Sequence, residues 1–168
     1  MKLNSESMRS IVFGVEDSLV STVGLVSGIA FAGVPRLTIV LTGAVLIFVE
    51  AFSMAVGSLL SDNSAREFKH QAGVSISKSI GAAIIMFVSY FFVGFIVLTP
   101  YLLLENNQAL PSSILISVVL LFILGIFSGK MSRSNPIKKG LLMAVIGGAA
   151  IFIGMAVGTL VDSVGSLG

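Results

Sequence analysis

Residues 37–60 read LTIVLTGAVLIFVEAFSMAVGSLL, and Glu50 is the only charged side chain among them. A helix needs about 20 mostly apolar residues to cross a bilayer. A soluble helix of this length would show a polar face, and this one has none wide enough to meet water. Working outward, four further stretches fit the same description, at roughly 11–32, 79–104, 112–129 and 138–161. The breaks between them are Gly33 to Arg36, Ser61 to Lys78, Glu105 to Gln108 and Lys130 to Lys139. Pro35, Pro100, Pro111 and Pro136 fall at or near span ends, where a missing N–H does least harm. The fold class is therefore an all-α integral membrane protein with five transmembrane helices.

Composition supports this reading. Of 168 residues, 55% are hydrophobic and 11% charged, with a mean hydropathy of +1.06. A globular domain carries about 25% charged residues. So little charge excludes a disordered chain, a nucleic-acid binder and a soluble enzyme. The net charge of +2 is too small to indicate an anionic partner. With no Cys there is no disulfide framework, thiolate metal site or thiol chemistry. The breaks are short, so residues 1–168 form a single transmembrane domain, with 61–78 expected as a short cytoplasmic loop.

Direction follows from the basic residues. Lys2, Arg9, Arg66, Lys69, Lys78, Lys130, Arg133, Lys138 and Lys139 fall on one side, and Arg36 alone on the other. The positive-inside bias places the N-terminus in the cytoplasm and the C-terminus outside or in a lumen. Ala30-Phe31-Ala32 matches a signal-peptidase pattern, but Glu16 and Asp17 interrupt the apolar run before it, so span 1 is expected to be retained. The short breaks suit a prokaryotic plasma membrane.

Three carboxylates lie inside spans: Glu16, Asp17 and Glu50. No Lys, Arg or His lies well inside any span, so they lack an intramembrane basic partner. An acid at mid-helix costs about 2.5–3.5 kcal/mol on insertion scales. It must be protonated, hydrated or facing a cation. At 1.5 Å per residue, Asp17 and Met54 both lie about 9 Å from the cytoplasmic end, and Glu50 about 15 Å. Glu50, Met54, Gly57 and Ser61 share one helical face, and Gly14, Ser18 and Ser21 share another. Glu16 and Asp17 point about 100° apart, so one of them aims into any shared cavity. Carboxylates alone suit Mg²⁺, Ca²⁺ or Mn²⁺, and the Met54 thioether tilts the set toward a borderline ion such as Fe²⁺. The metal positions expected along a transport path are Asp17, Glu50, Met54 and Glu16.

Other features have structural readings. Gly24/Gly28, Gly125/Gly129 and Gly154/Gly158 are small-xxx-small pairs that mark close helix contacts, within or between subunits. Gly147-Gly148 is a point of flexure in span 5. Glu67 and His70 are candidate ligands at the cytoplasmic mouth. A phosphate-binding loop, a nucleophile elbow and an HExxH motif are all absent, so the chain is expected not to be an enzyme and not to pump by its own ATP hydrolysis.

Ile11-Val12-Phe13-Gly14-Val15-Glu16-Asp17-Ser18-Leu19-Val20-Ser21-Thr22 resembles the first span of the vacuolar iron transporter family. Glu50-Ala51-Phe52-Ser53-Met54-Ala55-Val56-Gly57 resembles its second-span signature, and Leu98-Thr99-Pro100-Tyr101 and Gly147-Gly148 also fit. The resemblance implies a homodimer of five-span subunits, with a metal path near the subunit interface and export of Fe²⁺ or Mn²⁺ coupled to protons. It places Asp17 as the span-1 acid, with Glu50 and Met54 as span-2 ligands. Many members insert a glutamate-rich metal-binding domain between spans 2 and 3. Here only Ser61 to Lys78 stands there, so the chain resembles a short branch lacking that domain. Ser58 occupies the position of a further ligand one turn beyond Met54.

The leading expectation is a divalent-metal exporter in the lipid bilayer, working by proton antiport. It has no resident cofactor, and the metal is its cargo. The alternatives are a non-transporting membrane scaffold or regulatory partner, and a proton or cation channel.

Overall fold

A computed structural model describes residues 5–70 and 77–165. These form five helices and no strand: α1 (Ser5–Phe31), α2 (Arg36–His70), α3 (Ser77–Leu103), α4 (Asn106–Met131) and α5 (Pro136–Gly165). All five are long and apolar enough to cross a membrane. Successive helices run in opposite directions, and α1 and α5 run parallel, with Gly24 beside Ala150 and Gly28 beside Gly154. The end carrying Arg9, Arg66, Lys130 and Lys139 is here called the basic end.

α1 is the central helix and touches all four others. Its sequence explains why. Leu19, Val23 and Val26 are fully buried, and so are the small polar residues Ser18, Thr22 and Ser27. Short side chains let neighbouring backbones approach from several directions at once. α2 to α5 each send large apolar residues outward, among them Leu37, Phe52, Phe92, Leu115 and Phe152. In water such exposure would be an aggregation hazard; in hydrocarbon it is the solvated surface.

The glycine pairs fix the closest contacts, and all three lie within the subunit. A Cβ added to Gly28 of α1 would lie 2.5 Å from the Gly154 carbonyl oxygen of α5, and one on Gly24 would lie 3.3 Å from Ala150 O. A Cβ on Gly125 of α4 would meet Gly140 Cα of α5 at 2.5 Å, and one on Gly129 would meet Pro136 Cα at 2.7 Å. α5 is one continuous helix through Gly147-Gly148, with Leu121 of α4 packed against Gly147. Gly33 turns the chain from α1 into α2 at φ 73°, a conformation that disfavours any side chain.

Two expectations need correction. The stretch 61–78 was expected to be a loop, but α2 continues as helix to His70. Its 35 residues span about 52 Å, well beyond a hydrocarbon core of about 30 Å. Charge ends the apolar run after Leu60 but does not end the helix. Ser61 to His70 contain neither Gly nor Pro. Arg66 lies 3.9 Å from Asp62, and Asn63 donates to Glu67 at 2.9 Å, both one turn apart. Residues 71–76 lie outside the described residues. Pro111 sits inside α4, in its second turn, rather than before the span.

At the opposite end, Arg36 closes α3. Its Nε donates to the Tyr101 carbonyl at 2.6 Å, and its Nη2 donates to the Leu102 carbonyl. These are C-terminal carbonyls without an intrahelical partner, at the negative end of the helix dipole.

Candidate functional site

The stripe Gly14, Ser18 and Ser21 of α1 faces α3. A Cβ on Gly14 would lie 3.1 Å from Met86 O and 3.2 Å from Ser89 Cβ. One turn on, Ser18 Oγ donates to the Tyr90 carbonyl at 2.7 Å, and Ser21 Oγ shares a 2.6 Å hydrogen bond with Tyr90 Oη. Two hydroxyls of α1 therefore hold one fully buried residue of α3, the first by its backbone and the second by its phenol.

Asp17 immediately precedes Ser18 in the chain. It is half-buried and within electrostatic reach of Glu50 on α2; Tyr90 is within reach of both. The charge that Glu16 meets is that of its neighbour Asp17. Of the two adjacent acids, then, Asp17 is the one within electrostatic reach of Glu50. No Lys or Arg pairs with Glu16, Asp17 or Glu50 among the described residues. Arg9 and Arg66 instead approach Asp62 at the basic end, each at 3.9 Å. Two acids of neighbouring helices thus lie within electrostatic reach of each other inside the spans, an arrangement that a bound cation or proton relieves.

α2 carries the remaining positions. Met54 is half-buried, one helical turn from Glu50 toward the basic end. Ser58 and Asp62 continue the same four-residue spacing, and Ser58 Oγ is buried without a hydrogen-bond partner. The file Glu50, Met54, Ser58, Asp62 thus leads from Glu50 to the basic end along one strip of helix. Beside it Ser53, Gly57 and Ser61 are exposed, and a Cβ on Gly57 would meet nothing within 4 Å. Among the described residues no three His, Asp or Glu side chains gather into a metal-holding group. Glu67 accepts from Asn63, and the His70 side chain lies outside the described residues.

Tyr90 is the site residue that sequence reasoning missed. Its one signal is a polar phenol in the middle of an otherwise apolar span. Its meaning depends on knowing that α1 and α3 are neighbours.

Comparison with known proteins identifies the family of this chain. A family model described as VIT family matches residues 8–75 and 69–159. A protein of Toxoplasma gondii (strain ATCC 50861 / VEG) named vacuolar iron transporter is 32% identical over 93 residues. That match covers 51% of this chain and 31% of the relative's length. The family model spans nearly the whole chain, including both acid-bearing helices and Tyr90, and the chain belongs to the VIT family.

Proposed function

We propose that the protein is a divalent transition-metal transporter that exports Fe²⁺ or Mn²⁺ from the cytoplasm in exchange for protons. The observation that carries this reading is the Asp17–Glu50 pair, two in-span carboxylates within electrostatic reach and without a basic partner among the described residues. Family membership and the similarity to a protein named vacuolar iron transporter support it.

Metal enters at the basic end, which the positive-inside bias makes cytoplasmic. It passes along the α2 file by Ser58 and Met54, and is held between Asp17 and Glu50. Glu16, next to Asp17 on α1, is a further acid of this path. The carboxylates supply hard oxygens, and the Met54 thioether favours a borderline ion over Ca²⁺ or Mg²⁺. A carboxylate that takes a proton loses its hold on the metal, so proton entry from the far side drives release. A non-transporting scaffold would have no use for two unneutralised acids in a span.

The working unit in this reading is a homodimer. Among the described residues of one chain no three acidic or histidine side chains gather, short of the ligands a divalent ion takes. The exposed Ser53, Gly57 and Ser61 beside Glu50 let a second α2 approach closely, doubling the carboxylates.

Metal-dependent thermal stabilisation of the purified protein tests the reading. Fe²⁺ and Mn²⁺ are expected to raise the unfolding temperature of the native chain and not of the Asp17→Asn, Glu50→Gln double variant. No shift with Fe²⁺, Mn²⁺, Co²⁺ or Zn²⁺ would favour the scaffold. Proton or monovalent-cation flux without divalent selectivity would favour a channel.

A further inference from the structure

Asp17 and Glu50 sit on different helices, and both helices take their register from one turn of α3. Ser18, next to Asp17, donates to the Tyr90 carbonyl at 2.7 Å. A Cβ on Gly94, one turn beyond Tyr90, would lie 3.1 Å from Ser18 Oγ and 2.7 Å from Ile47 Cγ1. Ile47 is fully buried and lies three residues before Glu50 on α2. The segment Tyr90–Gly94 is therefore a common template, with α1 seated on one flank and α2 on the other. Most of this template is backbone. The Tyr90 phenol is the exception, since its Oη meets Ser21 Oγ at 2.6 Å, one turn beyond Asp17.

We infer that Tyr90 is a positioning residue that sets the separation of Asp17 and Glu50, and through it the ion size the site accepts. This rests on the transport reading above. Gly14 seats α1 against Met86 and Ser89 of α3, and the Ser18 bond ties it to the Tyr90 carbonyl, both on the basic-end side of Ser21. The phenol adds a hydrogen bond one turn beyond Asp17, which narrows the rotation left to this stretch of α1 and hence the direction of Asp17. Carboxylate sites discriminate among divalent ions by cavity size, ligand number and rigidity. Ca²⁺ takes oxygen ligands at about 2.3–2.6 Å and tolerates loose geometry, whereas smaller ions need a tighter, more rigid cage. A clamp that holds two acids at fixed spacing therefore favours the smaller ion.

The test uses full-length protein in vesicles, with Mn²⁺ and Ca²⁺ uptake measured for the native chain, Y90F, S21A and the double variant. Neither side chain is a proposed metal ligand. Loss of one hydrogen bond of about 1 kcal/mol corresponds to roughly a fivefold change. Y90F is expected to raise KM for Mn²⁺ about fivefold, with less than about a twofold change in kcat, and to lower the Mn²⁺:Ca²⁺ rate ratio. S21A should reproduce this, and the double variant should be no worse than either single variant, because both remove the same bond. A lower unfolding temperature with unchanged KM and unchanged ion ratio would reduce Tyr90 to a packing residue and overturn the inference. So would additive effects of Y90F and S21A. Absence of any divalent uptake by the native chain would instead overturn the transport reading, and the inference with it.

Discussion

Gly28 of α1 and Gly154 of α5 meet backbone to backbone, so close that a Cβ on Gly28 would stand 2.5 Å from the Gly154 carbonyl oxygen. The contact seats the central helix against the last one, and a side chain there must push the helices apart. Gly28→Ala is expected to destabilise the fold by about 1–3 kcal/mol, the usual range for overpacking. Thermal unfolding in detergent checks it. Gly81→Ala is the control, since a Cβ there meets nothing within 4 Å, and it should be neutral or slightly stabilising.

Gly57 is open in the same sense but lies beside Glu50 and Met54 on α2. In the proposed dimer this space belongs to the second copy. Gly57→Leu should therefore leave the single-chain fold intact and shift the protein from dimer to monomer, read by cross-linking or light scattering in detergent. An unchanged mass would place the second copy elsewhere.

Arg36 holds two carbonyls at the end of α3 and begins α2. Arg36→Ala is expected to cost about 1 kcal/mol, from the lost charged hydrogen bonds and the uncompensated helix dipole. Arg36→Lys should recover only part of this, because an ammonium lacks the planar fork that reaches both oxygens. Denaturation of the variants side by side gives the ranking.

Met54 is the one soft donor in the proposed path. Met54→Leu keeps its volume and removes its sulfur. Uptake of Fe²⁺ should fall relative to Mn²⁺, the harder ion, while stability changes by less than about 1.5 kcal/mol. Competition uptake with both metals present measures the ratio.

The spans were legible because hydrocarbon allows few alternatives. Runs such as residues 37–60 cannot be placed in water, and a backbone in lipid must be helical. The isolated acids Asp17 and Glu50 were legible for the same reason, since charge stands out where almost none is tolerated. The length of α2 was not. Hydropathy marks where lipid ends, and the pairs Asp62–Arg66 and Asn63–Glu67 carry the helix past that point. Tyr90 was not legible either. A phenol in an apolar span is unremarkable until Ser18 and Ser21 are known to face it, and that depends on which helices are neighbours. The glycine pairs gave their positions but not their partners. Gly24 and Gly28 meet α5, while Gly125 and Gly129 meet the other end of the same helix.

The central claim is that Asp17 and Glu50 hold a cation that moves. It is tested most directly by Fe²⁺ and Mn²⁺ flux in reconstituted vesicles carrying the native chain, Asp17→Asn or Glu50→Gln. Each neutral variant should fold at least as stably as the native chain without metal, because one of two like charges has been removed, yet lose at least about tenfold in flux, about 1.4 kcal/mol of lost metal interaction. Flux equal to native in both variants would contradict the account.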